Sequence, residues 1–311
     1  MKKILTLLLA LWMLTGCVAM AAGNQLVVGS TTAMSGAFFT DLFGSNTADI
    51  DVRALLHGYN LMSWDNETGT YQINDSVVAG MAVSRDAQNN RVYTFDLYGD
   101  LKFSDGSAIT AKDYAFSILL TASPELAKLG GQSAAVGAIL GMDAYQSGKS
   151  SVLRGVRLLS DTQMSITISK AYEPYFYEMA LFDYSPYPIS VLAPGCKVVD
   201  TEKGVGIVNA GGTGTAIFTA DLLQKTILDA ATGYMSHPSV VSGPYTLTRY
   251  DAQSGTASFA INPYYKGNED GEKPTIETIV YRTVANDEAI DLLLSGEVDL
   301  LNKMAVSYTH L

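Results

Sequence analysis

The chain has 311 residues, with 31 acidic against 20 basic side chains for a formal net charge of -11. An acidic excess without a basic cluster excludes a phosphate-neutralising nucleic-acid surface and suits a soluble body that does not adhere to anionic lipid. Two cysteines and three scattered histidines, His57, His237 and His310, offer neither a disulfide framework nor metal-ligand spacing, so no metal or other cofactor is expected.

In chain order, Lys2 and Lys3 precede an apolar run from Ile4 to Leu14 that is shorter than the ~20 residues of a membrane span. Residues 1–16 therefore read as a signal peptide. Leu14-Thr15-Gly16-Cys17 resembles the bacterial lipobox, which implies cleavage before Cys17, diacylation of its thiol, and a lipid-anchored linker over 17–23 on the outer face of the cytoplasmic membrane. Ordinary secretion with cleavage near Ala19 to Ala22 is the alternative. Loss of Lys2 and Lys3 takes the net charge to -13, and a lipidated Cys17 leaves Cys196 without a disulfide partner. Two or three acyl chains, at ~0.8 kcal/mol per buried methylene, anchor a protein stably where one does not. No second hydrophobic span follows.

Gln25 to Ser30 reads as a buried strand, and the polar stretch Thr31 to Asp49 as a binding-competent loop. Asp51 to Tyr59 predicts a short helix with Val52, Leu55 and Leu56 on one side. Val92 to Tyr98 predicts a strand whose Tyr93, Phe95 and Leu97 form an aromatic buried face. Asp105-Gly106 supplies a turn, and Thr110-Ala111-Lys112-Asp113 opens a helix with a capping box that uses Asp in place of Glu, running through Leu120 to Ser123-Pro124. Gly130 to Gly141 reads as small-residue helix or loop. Gly155 to Leu159 pairs with Gln163 to Ile168 as a hairpin, and Pro174 fits the first turn of a helix towards Leu181 that Pro186 and Pro188 end.

Cys196 falls near a loop, and the Gly-rich run Asn209 to Gly214 lacks phosphate-cradling spacing, so it reads as a mobile loop. Asp221 to Ala231 predicts a helix, Tyr245 to Tyr250 with Ala257 to Asn262 a hairpin, and Thr275 to Thr283 a long strand. Asn286 caps a helix that stops at Gly296, and Glu297 to Leu301 begins another strand.

Three blocks in order carry a family resemblance. The first runs from Val92-Tyr93-Thr94-Phe95-Asp96-Leu97 through Leu101-Lys102-Phe103-Ser104-Asp105-Gly106-Ser107 to Thr110-Ala111-Lys112-Asp113-Tyr114. The second is Ser242-Gly243-Pro244-Tyr245-Thr246-Leu247 with Asn262-Pro263-Tyr264-Tyr265 and Ile279-Val280-Tyr281-Arg282, and the third Leu294-Ser295-Gly296-Glu297-Val298-Asp299. Over nearly all of Gln25 to Lys303 the chain resembles the extracytoplasmic solute-binding proteins of the oligopeptide, dipeptide and nickel family. These blocks are scaffold turns and helix stops, so they mark the fold and not the site.

The resemblance implies an α/β, type II periplasmic-binding-protein fold: two lobes that close over a solute, with an extra inserted domain. Lobe I would comprise 24–60 and 182–282, the inserted domain 61–181, and a mostly missing lobe II would begin at 283–305. Val306-Ser307-Tyr308-Thr309-His310-Leu311 matches one reading frame of a transposon-based sequencing adapter, so 306–311 reads as an assembly scar on a chain truncated near Ala305. Truncation implies exposure of Ile290, Leu293 and Leu294.

The implied function is non-enzymatic: a monomer that captures a peptide and delivers it to an ABC permease and its ATPase. By family resemblance Met34, Ser35, Gly36, Phe38, Val241 and Ser242 are the candidate substrate contacts, each with surface or packing duty as the alternative. Nickel, heme, sugar or opine are same-family alternatives. A surface sensor or adhesin is a different class, as is an extracellular hydrolase. Against hydrolysis, Asp287 and Asp291 share one solvated helix face and no Gly-x-Ser-x-Gly elbow is present.

Overall fold

The structure, a computed structural model, describes residues 24–132 and 137–304. Cys17, the signal peptide and the 306–311 segment lie outside the described residues. The strands in chain order are β1 (Gln25–Ser30), β2 (Met62–Asp65), β3 (Thr70–Ile73), β4 (Val78–Arg85), β5 (Arg91–Leu97), β6 (Val152–Leu153), β7 (Val156–Leu158), β8 (Gln163–Ile168), β9 (Cys196–Thr201), β10 (Gly204–Asn209), β11 (Tyr245–Asp251), β12 (Thr256–Ile261), β13 (Thr278–Thr283) and β14 (Leu300–Asn302). The helices are α1 (Thr47–Leu56), α2 (Ala111–Thr121), α3 (Pro124–Ala127), α4 (Met142–Gln146), α5 (Ile189–Leu192), α6 (Ala220–Thr226) and α7 (Ala289–Ser295).

One five-stranded sheet, in the order β11-β12-β13-β1-β14, contains the first and last described strands of the chain. β1 lies between β13 and the edge strand β14 and runs parallel to both, Gln25 opposite Thr278 and Val28 opposite Leu300. β11, β12 and β13 are joined antiparallel. α1 packs Val52 and Leu56 under this sheet together with Phe38, Val241, Phe259 and Tyr281. The helix starts four residues before the sequence reading because Asn46 and Asp49 form a capping box: the Asn46 side chain accepts from the Ala48 and Asp49 amides, and the Asp49 carboxylate accepts from the Asn46 amide.

A second, larger core fills the rest. The antiparallel sheet β4-β5-β8-β7 turns Tyr93, Phe95 and Leu97 inward, as the alternation predicts, and α2 lies against it. Thr110 donates from both its amide (2.8 Å) and its hydroxyl (2.9 Å) to Asp113, the cap read from sequence. The Tyr114 hydroxyl donates to the Tyr59 carbonyl (2.7 Å), which ties α2 to the chain leaving α1.

Residues 182–235 contribute Phe182, Leu192, Val198, Val205, Leu223 and Tyr234 to this larger core. Residues 283–302 return to the β1 sheet: β14 is the edge strand beside β1, and Ala289 of α7 clusters there with Val298 and Val27. Asp299 fixes the return, its carboxylate accepting from the Val27 amide (2.7 Å) while its own amide donates to the Val27 carbonyl (2.9 Å). Ile290, Leu293 and Leu294 on α7 are exposed.

Local differences have local causes. Pro174 follows a cis peptide, and Tyr175, Phe176 and Tyr177 are exposed, so no apolar face supports a helix until the 3-10 turn Glu178–Phe182. α6 stops at Thr226 because the Asp229 carboxylate accepts from the Ala231 and Thr232 amides and turns the chain. α7 begins at Ala289 behind Glu288, not at an Asn286 cap. Cys196, buried, is the first residue of β9 just after a turn, and the hairpin of β9 and β10, which sequence reading did not predict, joins β6 in a three-stranded sheet. Gly204 allows that joint: a Cβ there would lie 2.3 Å from the Leu153 carbonyl oxygen.

Candidate ligand-binding site

In open α/β sheets, ligands bind in the crevice beyond the carboxyl ends of parallel strands. Here that edge is the end of β1, and the loop 31–46 runs across it. Asp49 and Arg53, four residues apart and so on one face of α1, and His57, the extended residue that caps the helix, hold consecutive loop residues. Asp49 accepts from the Ser35 amide (2.8 Å), the Ser35 hydroxyl (2.6 Å) and the Gly36 amide (3.2 Å). Arg53 donates to the Ala37 carbonyl (2.8 Å) and the Ser45 hydroxyl (3.1 Å). His57 donates from Nε2 to the Phe38 carbonyl (2.9 Å), which assigns the proton to Nε2 because a carbonyl only accepts.

Beside α1 and this loop opens a cleft of about 620 Å³, within the range of small-molecule sites. Its walls are Phe39 to Leu42 from the loop, Ile50, Arg53 and Ala54 from α1, His57 and Asn60 just after it, Ser117 and Thr121 from α2, and residues of the segment from Ala180 to Tyr187. Aromatic faces (Phe39, Tyr184, Tyr187) alternate with polar groups. Asn60 donates to the Asp183 carboxylate (2.7 Å), and among the described residues Arg53 is the one Lys or Arg on the wall.

Burial shapes the electrostatics. It pulls the His57 imidazole down to about 4, helped by the Arg53 charge and opposed by the bond to Phe38, so the ring is neutral near pH 7. It raises the Asp183 carboxyl against the bond from Asn60, and it pushes the Tyr184 hydroxyl up to about 12, with the Asp183 charge adding to the effect. Tyr187 is raised by burial first and by Asp41 second. His57 keeps its Nε2 proton on a backbone carbonyl, so this side of the ring serves the loop as a hydrogen-bond donor.

The six candidate contacts separate into three places. Ser35 and Gly36 line a smaller cleft of about 280 Å³ with Phe43, Asp229, Met235 and Ser236. Met34, Phe38 and Val241 are buried together in the core under the β1 sheet, Phe38 edge-on to Tyr250 with centroids 4.6 Å apart. Ser242 is buried against Gly58. None of the six lines the 620 Å³ cleft. Sequence reading passed over Asp49, Arg53 and His57 as holders of the loop: Asp49 fell in the polar stretch before the predicted helix, and the Asn46 cap that brings it into α1 was not recognised. Among the described residues no group of three or more His, Cys, Asp and Glu could hold a metal ion, and no helix is long and apolar enough to cross a membrane.

A parallel-centred sheet lobe joined to an inserted α/β body defines the type II periplasmic-binding-protein class, and comparison with known proteins agrees. The profile of the bacterial extracellular solute-binding proteins, family 5 middle region, matches residues 76–309, and the chain belongs to that family. It is 27% identical over 233 residues to the oligopeptide-binding protein OppA of Lactococcus lactis subsp. lactis, covering 74% of this chain and 32% of that protein. Among solved structures it is similar to lactococcal OppA complexed with an endogenous peptide in the closed conformation, with a TM-score of 0.65 at 20% identity, covering 91% of this chain and 46% of that one. It is also similar to NikZ of Campylobacter jejuni in complex with Ni(L-His), with a TM-score of 0.54 at 14% identity, covering 88% of this chain and 42% of that one. The chain thus spans about a third of its first curated relative and under half of these structures.

Proposed function

We propose that the chain is the substrate-binding part of an ABC importer, tethered outside the cell through lipidated Cys17, and that it captures peptides for a permease driven by an ATPase. The likeness to an oligopeptide-binding protein along 74% of the chain carries this reading. The cleft beside α1 supports it physically, because hydrogen-bonding groups set between aromatic faces suit a ligand with a polar backbone and varied side chains. Met34, Ser35, Gly36, Phe38, Val241 and Ser242 enter the proposal unequally. Ser35 and Gly36, which line the smaller cleft, are proposed as ligand contacts, and the other four, which are buried, as supports of the loop and strand around them.

The test is titration calorimetry of the unlipidated protein, completed to the length of its relatives, against di- to octapeptides, with nickel and sugars as controls. Saturable heat with peptides is expected, and binding of nickel or sugars alone rejects peptide capture.

A further inference from the structure

We infer that Asp49, Arg53 and His57 are positioning residues that pre-order the loop 31–46 for ligand, a role that rests on the reading of this loop as ligand-facing. The loop crosses the carboxyl end of β1 with no strand or helix of its own before Thr47. Loops of this length are costly to order, and fixing each backbone residue forfeits about 1–2 kcal/mol of conformational entropy.

What holds it is polar and comes from α1 and the residue that caps it. Asp49 takes Ser35 and Gly36, Arg53 takes Ala37, and the cap residue His57 takes Phe38, so four consecutive residues are held by three side chains spaced four apart in sequence. The two ends of the loop are drawn together as well. Asp49 also accepts from the Asn46 amide (3.1 Å), and Arg53 also reaches Ser45 (3.1 Å).

Packing alone does not require this chemistry. Phe38 is already enclosed by Tyr250 and the sheet core, yet Arg53 places an ionic group, without an ion-pair partner among the described residues, on two loop oxygens. Arg53 and His57 also form wall of the 620 Å³ cleft. The side chains that fix the loop therefore stand where an occupant of the cleft would touch them. A loop that is loose part of the time lowers apparent affinity by the fraction of time it is competent, so release to about one-tenth occupancy weakens binding about tenfold.

The experiment measures three quantities on the completed, unlipidated protein: association and dissociation rates for the library peptide that wild type binds most tightly, amide hydrogen exchange, and thermal unfolding. Arg53→Met and His57→Leu should each weaken peptide binding about tenfold, mostly through slower association, and speed exchange at amides 35–38 while strands β1 and β13 stay protected. His57→Gln, which keeps a donor towards Phe38, should restore most of the affinity.

Unchanged exchange in the loop overturns the inference, and so does faster loop exchange with wild-type peptide kinetics. Equal loss of protection in β1 and β13 marks a general folding role and overturns it too. If wild type binds no peptide, peptide capture fails and the affinity role fails with it, while the exchange data still decide whether the three side chains hold the loop.

Discussion

Ser242 and Gly58 are bonded twice: the Gly58 amide donates to the Ser242 hydroxyl oxygen at 3.1 Å, and that hydroxyl donates to the Gly58 carbonyl at 3.0 Å. One buried side chain thus satisfies both backbone groups at the exit of α1. Ser242→Ala should cost about 1–3 kcal/mol by stranding them, read as a lower urea midpoint with unchanged slope. Peptide affinity should stay within about twofold of wild type at this supporting position, and an unchanged midpoint would refute the account.

The neighbouring Gly243 answers to backbone crowding. A Cβ there would lie 2.5 Å from the Leu56 carbonyl carbon and 2.6 Å from the Leu55 carbonyl oxygen, neither of which can swing aside. Gly243→Ala should therefore cost about 3 kcal/mol or more. Gly44 has φ +91 and nothing within 4 Å, so Gly44→Ala should cost only the backbone conformation, about 1–2 kcal/mol. Thermal unfolding of both variants checks the order, and a less stable Gly44→Ala would reverse the argument.

Acid should act on two buried groups in opposite senses. His57 titrates at about 4 when folded against an ordinary 6.5, so between those values the unfolded chain binds a proton the folded chain refuses, and stability falls as pH drops from 6.5 to 4. Burial raises the Asp113 carboxyl to about 6 from 3.8 against the bonds from Thr110, so its contribution is full below 3.8 and is lost as pH rises through 6. His57→Gln should remove the first slope and keep the second. Its stability relative to wild type should therefore grow on acidification from pH 6.5 to 4, and parallel urea-midpoint profiles would exclude this.

Phe38 and Ser35, three residues apart, should separate core from rim. Phe38 is 0% exposed, and Phe38→Ala should cost about 3–5 kcal/mol. Ser35 is exposed, and Ser35→Ala leaves Asp49 its amide donors, so a loss below about 1 kcal/mol is expected in chemical unfolding. Comparable losses at the two positions would contradict their placement.

Cys17 should incorporate a clickable palmitate in growing cells, and Cys17→Ser should abolish both the label and membrane retention. Retention of a labelled Cys17→Ser protein would contradict the tether.

The sequence exposed those parts of the fold whose rule is local. Thr110 and Asp113 announce their helix because the capping bonds span three residues, and β5 alternates because one face is buried. The β9 and β10 hairpin was hidden because the glycine beside its turn, Gly204, serves a contact with Leu153 that lies far away in sequence. The place of β14 was hidden because pairing with β1 depends on residues far apart in sequence. The site followed the same division: the polar run after β1 was legible as a loop, but burial of Met34, Phe38 and Val241 depends on a core assembled from both ends of the chain. The 620 Å³ cleft joins α1, α2 and the segment after Ala180, so no single stretch of sequence describes it.

The sheet order β11-β12-β13-β1-β14 also governs timing. A chain made from its amino terminus releases Val27 and Val28 early, yet their partner residues lie beyond residue 278. Until that late segment arrives, β1 has two open edges, and closing so large a loop is the slow, entropically expensive event. A nascent polypeptide whose partner strands are still to be made therefore stays open along β1 until the last described strands arrive to shut the sheet.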